Sequence, residues 1–225
     1  MKIGGLQNDF AKELVNTSKD TVNDYIEIGL DLITDDETLK EIPIVKTLMT
    51  FLNVGINIKD RYFANKLLKF IFELKNEQIN EDKLLEFKGK MEEESFKVKT
   101  TERLMIILDK LDEINMTIYI SKLFKGFIDK KITWIEFCNF SKYINLMVTE
   151  DFELLKFLGT KGAAGEDISN SEKKKLEGNA NKLMNFNFLK MRLIVTTSVG
   201  TSPVTSIHSL TDEGVKLLSC LNEIC

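Results

Sequence analysis

The chain has 225 residues, enough for one large or two small domains with ample core, and its 43 % apolar and 29 % charged content is that of a soluble globular protein. Two prolines and 12 glycines leave little room for long coil, and a formal net charge of −4 gives no global attraction to polyanions. The three cysteines, Cys138, Cys220 and Cys225, contain no CxxC pair and read as reduced thiols of a cytoplasmic protein.

The first residues turn polar and acidic at once, so no secretory signal is expected. Leu6, Phe10 and Leu14, then Val22, Tyr25, Ile26, Leu30 and Ile33, show helical spacing with a break at Ser18 to Thr21. Through Asp60 there are eleven acidic against six basic residues, so the acidity is concentrated here. Asp35 to Thr38 opens a short helical turn that must end before Pro43, and Pro43 suits the first turn of the next helix. The most apolar stretch, Ile42 to Ile58, holds Pro43, Lys46, Asn53 and Asn57, and falls short of the roughly 20 clean apolar residues of a spanning helix. A buried core helix is expected there, and a membrane-acting role through residues 42–58 is the alternative.

Helical spacing continues to Lys75. Phe63, Leu67, Leu68, Phe70, Ile71 and Leu74 form the stripe, Lys59, Arg61, Lys66, Lys69 and Lys75 its margins, and Gly55 and Asn57 a kink. Asn80 caps a helix through Leu84, Leu85 and Phe87 that ends near Gly89, and Lys90 to Thr100 reads as a solvated connection. Thr100 or Thr101 then caps a helix through Leu104, Ile107, Leu108 and Leu111, and Asp112 caps one through Ile114, Ile118, Ile120, Leu123, Phe124 and Phe127. Thr133-x-x-Glu136 is a capping box ahead of Phe137, Phe140, Ile144 and Met147. Thr149 caps a helix through Phe152, Leu154, Leu155 and Leu158. Residues 1–158 are thus expected to form an all-α helical domain.

Gly159, Gly162 and Gly165 mark the sharpest change in composition and the expected start of a second domain, residues 159–225, whose first helix begins near residue 150. Ser169 and Glu172 form a second capping box before Leu176, Ala180, Leu183 and Met184. Met191 to Ser198 and Val204 to Leu210, both rich in β-branched residues, flank the turn at Val199 to Pro203 and predict a hairpin. Thr211-Asp212-Glu213 then caps a helix burying Val215, Leu217, Leu218 and Leu221. The expected fold class is mainly α, a multi-helix N-terminal domain followed by a small α+β module with one β-hairpin.

The motifs argue against catalysis. Phe124 to Phe137 superficially matches the end of an EF-hand, but Lys125, Phe127 and Lys130 stand where calcium needs two oxygen ligands and a glycine. The glycines from Gly159 follow a helix rather than a strand and lack the Walker spacing, so they read as linker. His208 is the only histidine, which leaves no His-based acid/base pair or zinc site, and a place on a strand face is expected for it. Asp109, Asp112, Glu113 and Glu92 to Glu94 read as solvated helix faces, and no nucleophile motif is present. No enzymatic activity, cofactor or metal site is expected.

From Phe152 to Leu221 the order of elements resembles a winged helix. A helix at Leu154-Leu155, a helix at Leu176 to Leu183 and strands at Leu193 to Val195 and Val204 to Leu210 lead into Leu210-Thr211-Asp212-Glu213-Gly214, the Leu-Thr-x-x-Gly step of many winged-helix regulators. That resemblance implies that Lys173, Lys174, Lys175, Asn179 and Lys182 lie on the groove-reading helix, with Lys190 and Arg192 reaching phosphates from the hairpin. Against it, only a dozen glycine-rich residues stand where the middle helix of a winged helix would be. From Glu150 onward there are nine basic against ten acidic residues, not the basic face of a DNA-binding module. The helical part resembles uncharacterised helical proteins of bacterial and prophage genomes through Ile42-Pro43-Ile44-Val45, Arg61-Tyr62-Phe63 and Trp134-Ile135-Glu136-Phe137, and the Lys/Asn/Ile-rich usage fits an AT-rich source. These readings lead to a non-enzymatic bacterial or phage protein that binds a protein partner or itself, with a link to host–phage conflict resting on the resemblance. A winged-helix DNA-binding regulator is the alternative.

Overall fold

The computed structural model describes residues 3–16, 43–52, 58–161, 179–195 and 204–221, which form ten helices and two strands. The fold is mainly α with one antiparallel hairpin, as the spacing of apolar residues predicts. The chain divides into two compact units, Met1–Asn145 and Leu146–Cys225. The helix that opens at Thr149 therefore belongs with the hairpin rather than with the helices before it.

The first unit contains α1 (Ile3–Val15), α2 (Pro43–Leu52), α3 (Ile58–Asn76), α4 (Glu81–Met91), α5 (Glu94–Lys110), α6 (Met116–Ile128) and α7 (Trp134–Ile144). The stripe Leu6, Phe10 and Leu14 of α1 is buried, as are Ile44, Val45 and Leu48 of α2. Pro43 is the first residue of α2, where its missing N–H is no loss. At the centre of the unit is a chain of rings in which Phe70 touches Phe10 and Phe124, and Phe124 touches Phe87, Phe127 and Phe137. Phe124 is fully buried, with its centroid 5.6 Å from those of both Phe87 and Phe137. Each such ring stabilises by roughly 2–3 kcal/mol through burial, and each edge or tilted pair adds about 1 kcal/mol.

The starts of α4 and α7 carry side-chain caps. Asn80 accepts from the Lys83 amide at the start of α4. At α7 both halves of the Thr133–Glu136 capping box are made: Glu136 N–H donates to Thr133 Oγ1 and Thr133 N–H donates to Glu136 Oε2. The last-ligand position of the EF-hand-like stretch is thus occupied by a cap. Lys130, which ends α6 at a φ of 60°, holds a left-handed turn in which Lys131 N–H donates to Gly126 O and Lys130 N–H to Phe127 O. These two bonds form a Schellman motif.

Several local expectations are corrected. Lys90 to Thr100 is not a solvated connection, because α4 runs on to Met91 and α5 begins at Glu94. Thr100 and Thr101 lie buried inside α5 instead of capping it. The Thr101 hydroxyl donates to Lys97 O and accepts from Gln7 Nε2 of α1 at 2.9 Å, so a polar group sits in the core without an unmet bond. Asp112 precedes α6 without capping it, and that helix starts only at Met116. Leu85 is exposed on α4, and Val215 is exposed near the hairpin. Lys66 is buried rather than marginal to the stripe, and the half-buried Lys75 turns its ammonium inward onto Glu13. The kink at Gly55 and Asn57, the helix from Val22, the turn at Asp35, the loop from Gly162 to Gly165 and the Ser169 capping box lie outside the described residues.

The second unit contains α8 (Thr149–Lys161), α9 (helical at residues 179–185), β1 (Leu189–Val195), β2 (Val204–Leu210) and α10 (Asp212–Leu221). Thr149 is the first helical residue of α8, and the cap comes from Asp151, whose carboxylate accepts from the Val148 N–H at 2.8 Å. The strands pair with Leu189 opposite Leu210 and Val195 opposite Val204. A second Schellman motif closes α9, with Asn187 at a φ of 61°, its N–H on Met184 O and the Phe188 N–H on Leu183 O. The chain then turns straight into β1.

Thr211 ties the base of this hairpin together. Its N–H donates to Phe188 O, its hydroxyl donates to Asn187 O at 2.6 Å, and the same hydroxyl accepts from Gly214 N–H to cap α10. Gly214 is required by close approach, since a Cβ there would stand 2.1 Å from Phe188 O. Leu217, Leu218 and Leu221 of α10 are buried, together with Cys220.

Candidate interaction surface

Among the described residues no three His, Cys, Asp or Glu side chains come together as metal ligands. Cys138 is half-buried on α7, and His208 is half-buried on β2 opposite Met191. The titratable groups displaced from their ordinary ranges have structural causes. The Lys12 ammonium beside Asp9 lowers its pKa, burial opposes this, and the Thr47 hydroxyl, 2.7 Å away, lowers it further. Burial raises the Glu73 carboxyl, against Lys69 and Lys122. The Lys130 and Lys83 ammonium groups lower that of Glu86.

The contacts of two lysines escaped the sequence reading. Lys66 Nζ donates to Leu111 O at 2.7 Å and to Asp109 O at 3.0 Å, closing the carbonyl end of α5. Burial lowers its pKa, with the Asp109 carboxylate pulling the other way. Lys75 Nζ meets Glu13 Oε2 at 2.5 Å in a pair that joins α3 to α1. Hydrophobic spacing cannot reveal either, because the partners lie 45 and 62 residues away in the chain.

Of the seven residues expected to meet nucleic acid, four fall within the described residues. Lys173, Lys174 and Lys175 lie outside the described residues. Asn179 is half-buried on α9. Lys182, three residues on, pairs with the fully buried Asp151 carboxylate and donates to Leu146 O at 3.3 Å. Lys190 is exposed at the start of β1, opposite Ser209, and Arg192 stands opposite Ile207 in the register.

The same unit exposes apolar side chains. Met191 is 50 % exposed and Val215 54 %, and Leu146 and Val148 are exposed ahead of α8. Met191 shares a strand face with Leu189, which is buried, so that face passes from core to solvent within one repeat of the pleat. Among the described residues no helix is long and apolar enough to cross a membrane, and α2 places Ile44, Val45 and Leu48 in the core. Comparison with known proteins finds no matching family model, no matching curated protein and no matching solved structure.

Proposed function

We propose that the chain is a non-enzymatic protein-interaction protein, with the hairpin unit as its docking surface. The supporting observation is the pairing of exposed apolar side chains, Met191 and Val215, with a lysine, Lys182, that is held by Asp151. A phosphate-binding surface needs free cations, whereas exposed apolar side chains are what a protein partner covers. The winged-helix reading of this unit, its bacterial or phage origin and a role in host–phage conflict rest on the resemblances in the sequence. An affinity pull-down tests the reading. A partner retained by the native chain and lost from Met191→Lys with Val215→Lys supports it, and a partner list unchanged by those substitutions overturns it. The rival is a DNA-binding regulator, favoured by the exposed Lys190. Salt-sensitive gel-shift binding weakened by Lys190→Glu would establish that rival instead.

A further inference from the structure

Asp151, in the first turn of α8, is the buried group that the fold accounts for least. Its Oδ2 accepts from the Val148 N–H at 2.8 Å and meets the Lys182 ammonium, whereas its buried Oδ1 has no hydrogen-bond partner among the described residues. A carboxylate withdrawn from water with one oxygen unmet is costly, and a buried ion pair commonly stabilises less than apolar side chains of the same volume. Stability alone therefore does not explain the pair. Its geometric effect is to hold the strap from Leu146 to Val148 at both ends, because Lys182 Nζ also donates to Leu146 O at 3.3 Å. Between those two pins the side chains alternate: Leu146 and Val148 are exposed, and Met147 is 3 % exposed.

We infer that the Asp151–Lys182 pair is a latch, and that its rupture opens the strap as a local event while the rest of the hairpin unit stays folded. Breaking the pair releases both pins together. Lys182 leaves Leu146 O, and Asp151, now an uncompensated buried charge, leaves the Val148 amide for water. Opening turns Met147 outward, so that Leu146, Met147 and Val148 become a continuous exposed apolar run where the closed strap shows only its two ends. The unit keeps a core without the strap, supplied by Leu155 and Leu158 of α8, Leu183 of α9 and Leu217 of α10, all buried. A short segment fixed by a few polar contacts opens at a free energy well below that of global unfolding. The fold thus holds a closed and an open form of one apolar surface, and the ion pair sets the balance between them.

Oxidation of the full chain by hydrogen peroxide, with each methionine followed by peptide mass spectrometry, tests the latch. In the native protein Met147 is expected to oxidise as slowly as the buried Met91 and Met116, and the exposed Met191 to oxidise fast. Lys182→Leu should speed the oxidation of Met147 by about tenfold or more. Because that variant leaves a buried charge unpaired, a second one, Asp151→Leu with Lys182→Leu, removes both charges, and circular dichroism follows its folding. It should show the same acceleration at Met147, while Cys220, buried on α10, stays as resistant to iodoacetamide as in the native protein. A native Met147 as reactive as Met191, or a Met147 still protected in the double variant, would overturn the latch. So would a Cys220 that becomes reactive in step with Met147, since the unit then opens as a whole, or a double variant that fails to fold, since the pair is then structural. The latch lies within the unit and needs no partner, so the pull-down on Met191 and Val215 decides the interaction reading separately.

Discussion

Lys66 shows what a single residue decides that a pattern does not. Spacing places it at the margin of the α3 stripe, where a lysine usually keeps its ammonium in water. Its ammonium instead bonds the Asp109 and Leu111 carbonyls at the end of α5, and the second of these bonds is buried. Lys66→Met is expected to lower unfolding stability by roughly 1–3 kcal/mol, read as a drop in urea midpoint at unchanged m-value. Glu73 carries a pH dependence. Because burial raises its carboxyl above the ordinary 4.5, the folded chain binds that proton more tightly than the unfolded chain does. Its stability is fully present below 4.5 and is lost as pH rises through the raised value. Glu73→Gln should therefore gain on the native protein between acid and neutral pH, with a larger difference in urea midpoint at neutral pH. An equal difference at both ends would show that the carboxyl is not displaced.

The elements were legible where a local signal agrees with long-range packing. The Thr133–Glu136 box and the Asn80 cap are complete within four residues, and both form as their spacing predicts. Thr133→Ala is expected to cost about 1 kcal/mol, seen in thermal unfolding followed by the fluorescence of Trp134, the residue that follows the cap. The α5 start was not legible, since Thr100 and Thr101 look like caps until α1 supplies Gln7 as a hydrogen-bond donor to Thr101. Asp151 shows the same limit from the other side. Thr149 stands where a cap is expected by position, but Asp151 reaches back to the Val148 amide and also holds Lys182. The strand pair was legible because β-branched runs are local signals: β2 occupies the predicted Val204 to Leu210, while β1 starts at Leu189 rather than Met191, and the turn at Val199 to Pro203 lies outside the described residues. The candidate surface was less legible. Val215 looks like a core residue by type, and only the pitch of α10 turns it outward.

Across the whole molecule the division between Asn145 and Leu146 gives each unit its own buried core, and the single tryptophan, Trp134, belongs to the first. Its ring stacks on Phe137 with centroids 5.2 Å apart, so its emission reports the first core. Gly214→Ala sets a Cβ against the Phe188 carbonyl of the second unit and should destabilise that unit by about 1–3 kcal/mol or more. Calorimetry should then show a lowered transition that tryptophan fluorescence does not follow, and a parallel loss of fluorescence would mean that the two units unfold together. The Gly214 contact also bears on descent. The space a side chain would need is filled by a main-chain oxygen, which no change of neighbouring side chain can remove, and the opposite edge of that junction depends on the left-handed Asn187. Sequences diverging from this one are free to exchange their core apolar residues for one another. The pairing of an Asn or Gly before the first strand with a glycine three places after the capping threonine should outlast those exchanges, and it provides a spacing by which distant kin can be recognised.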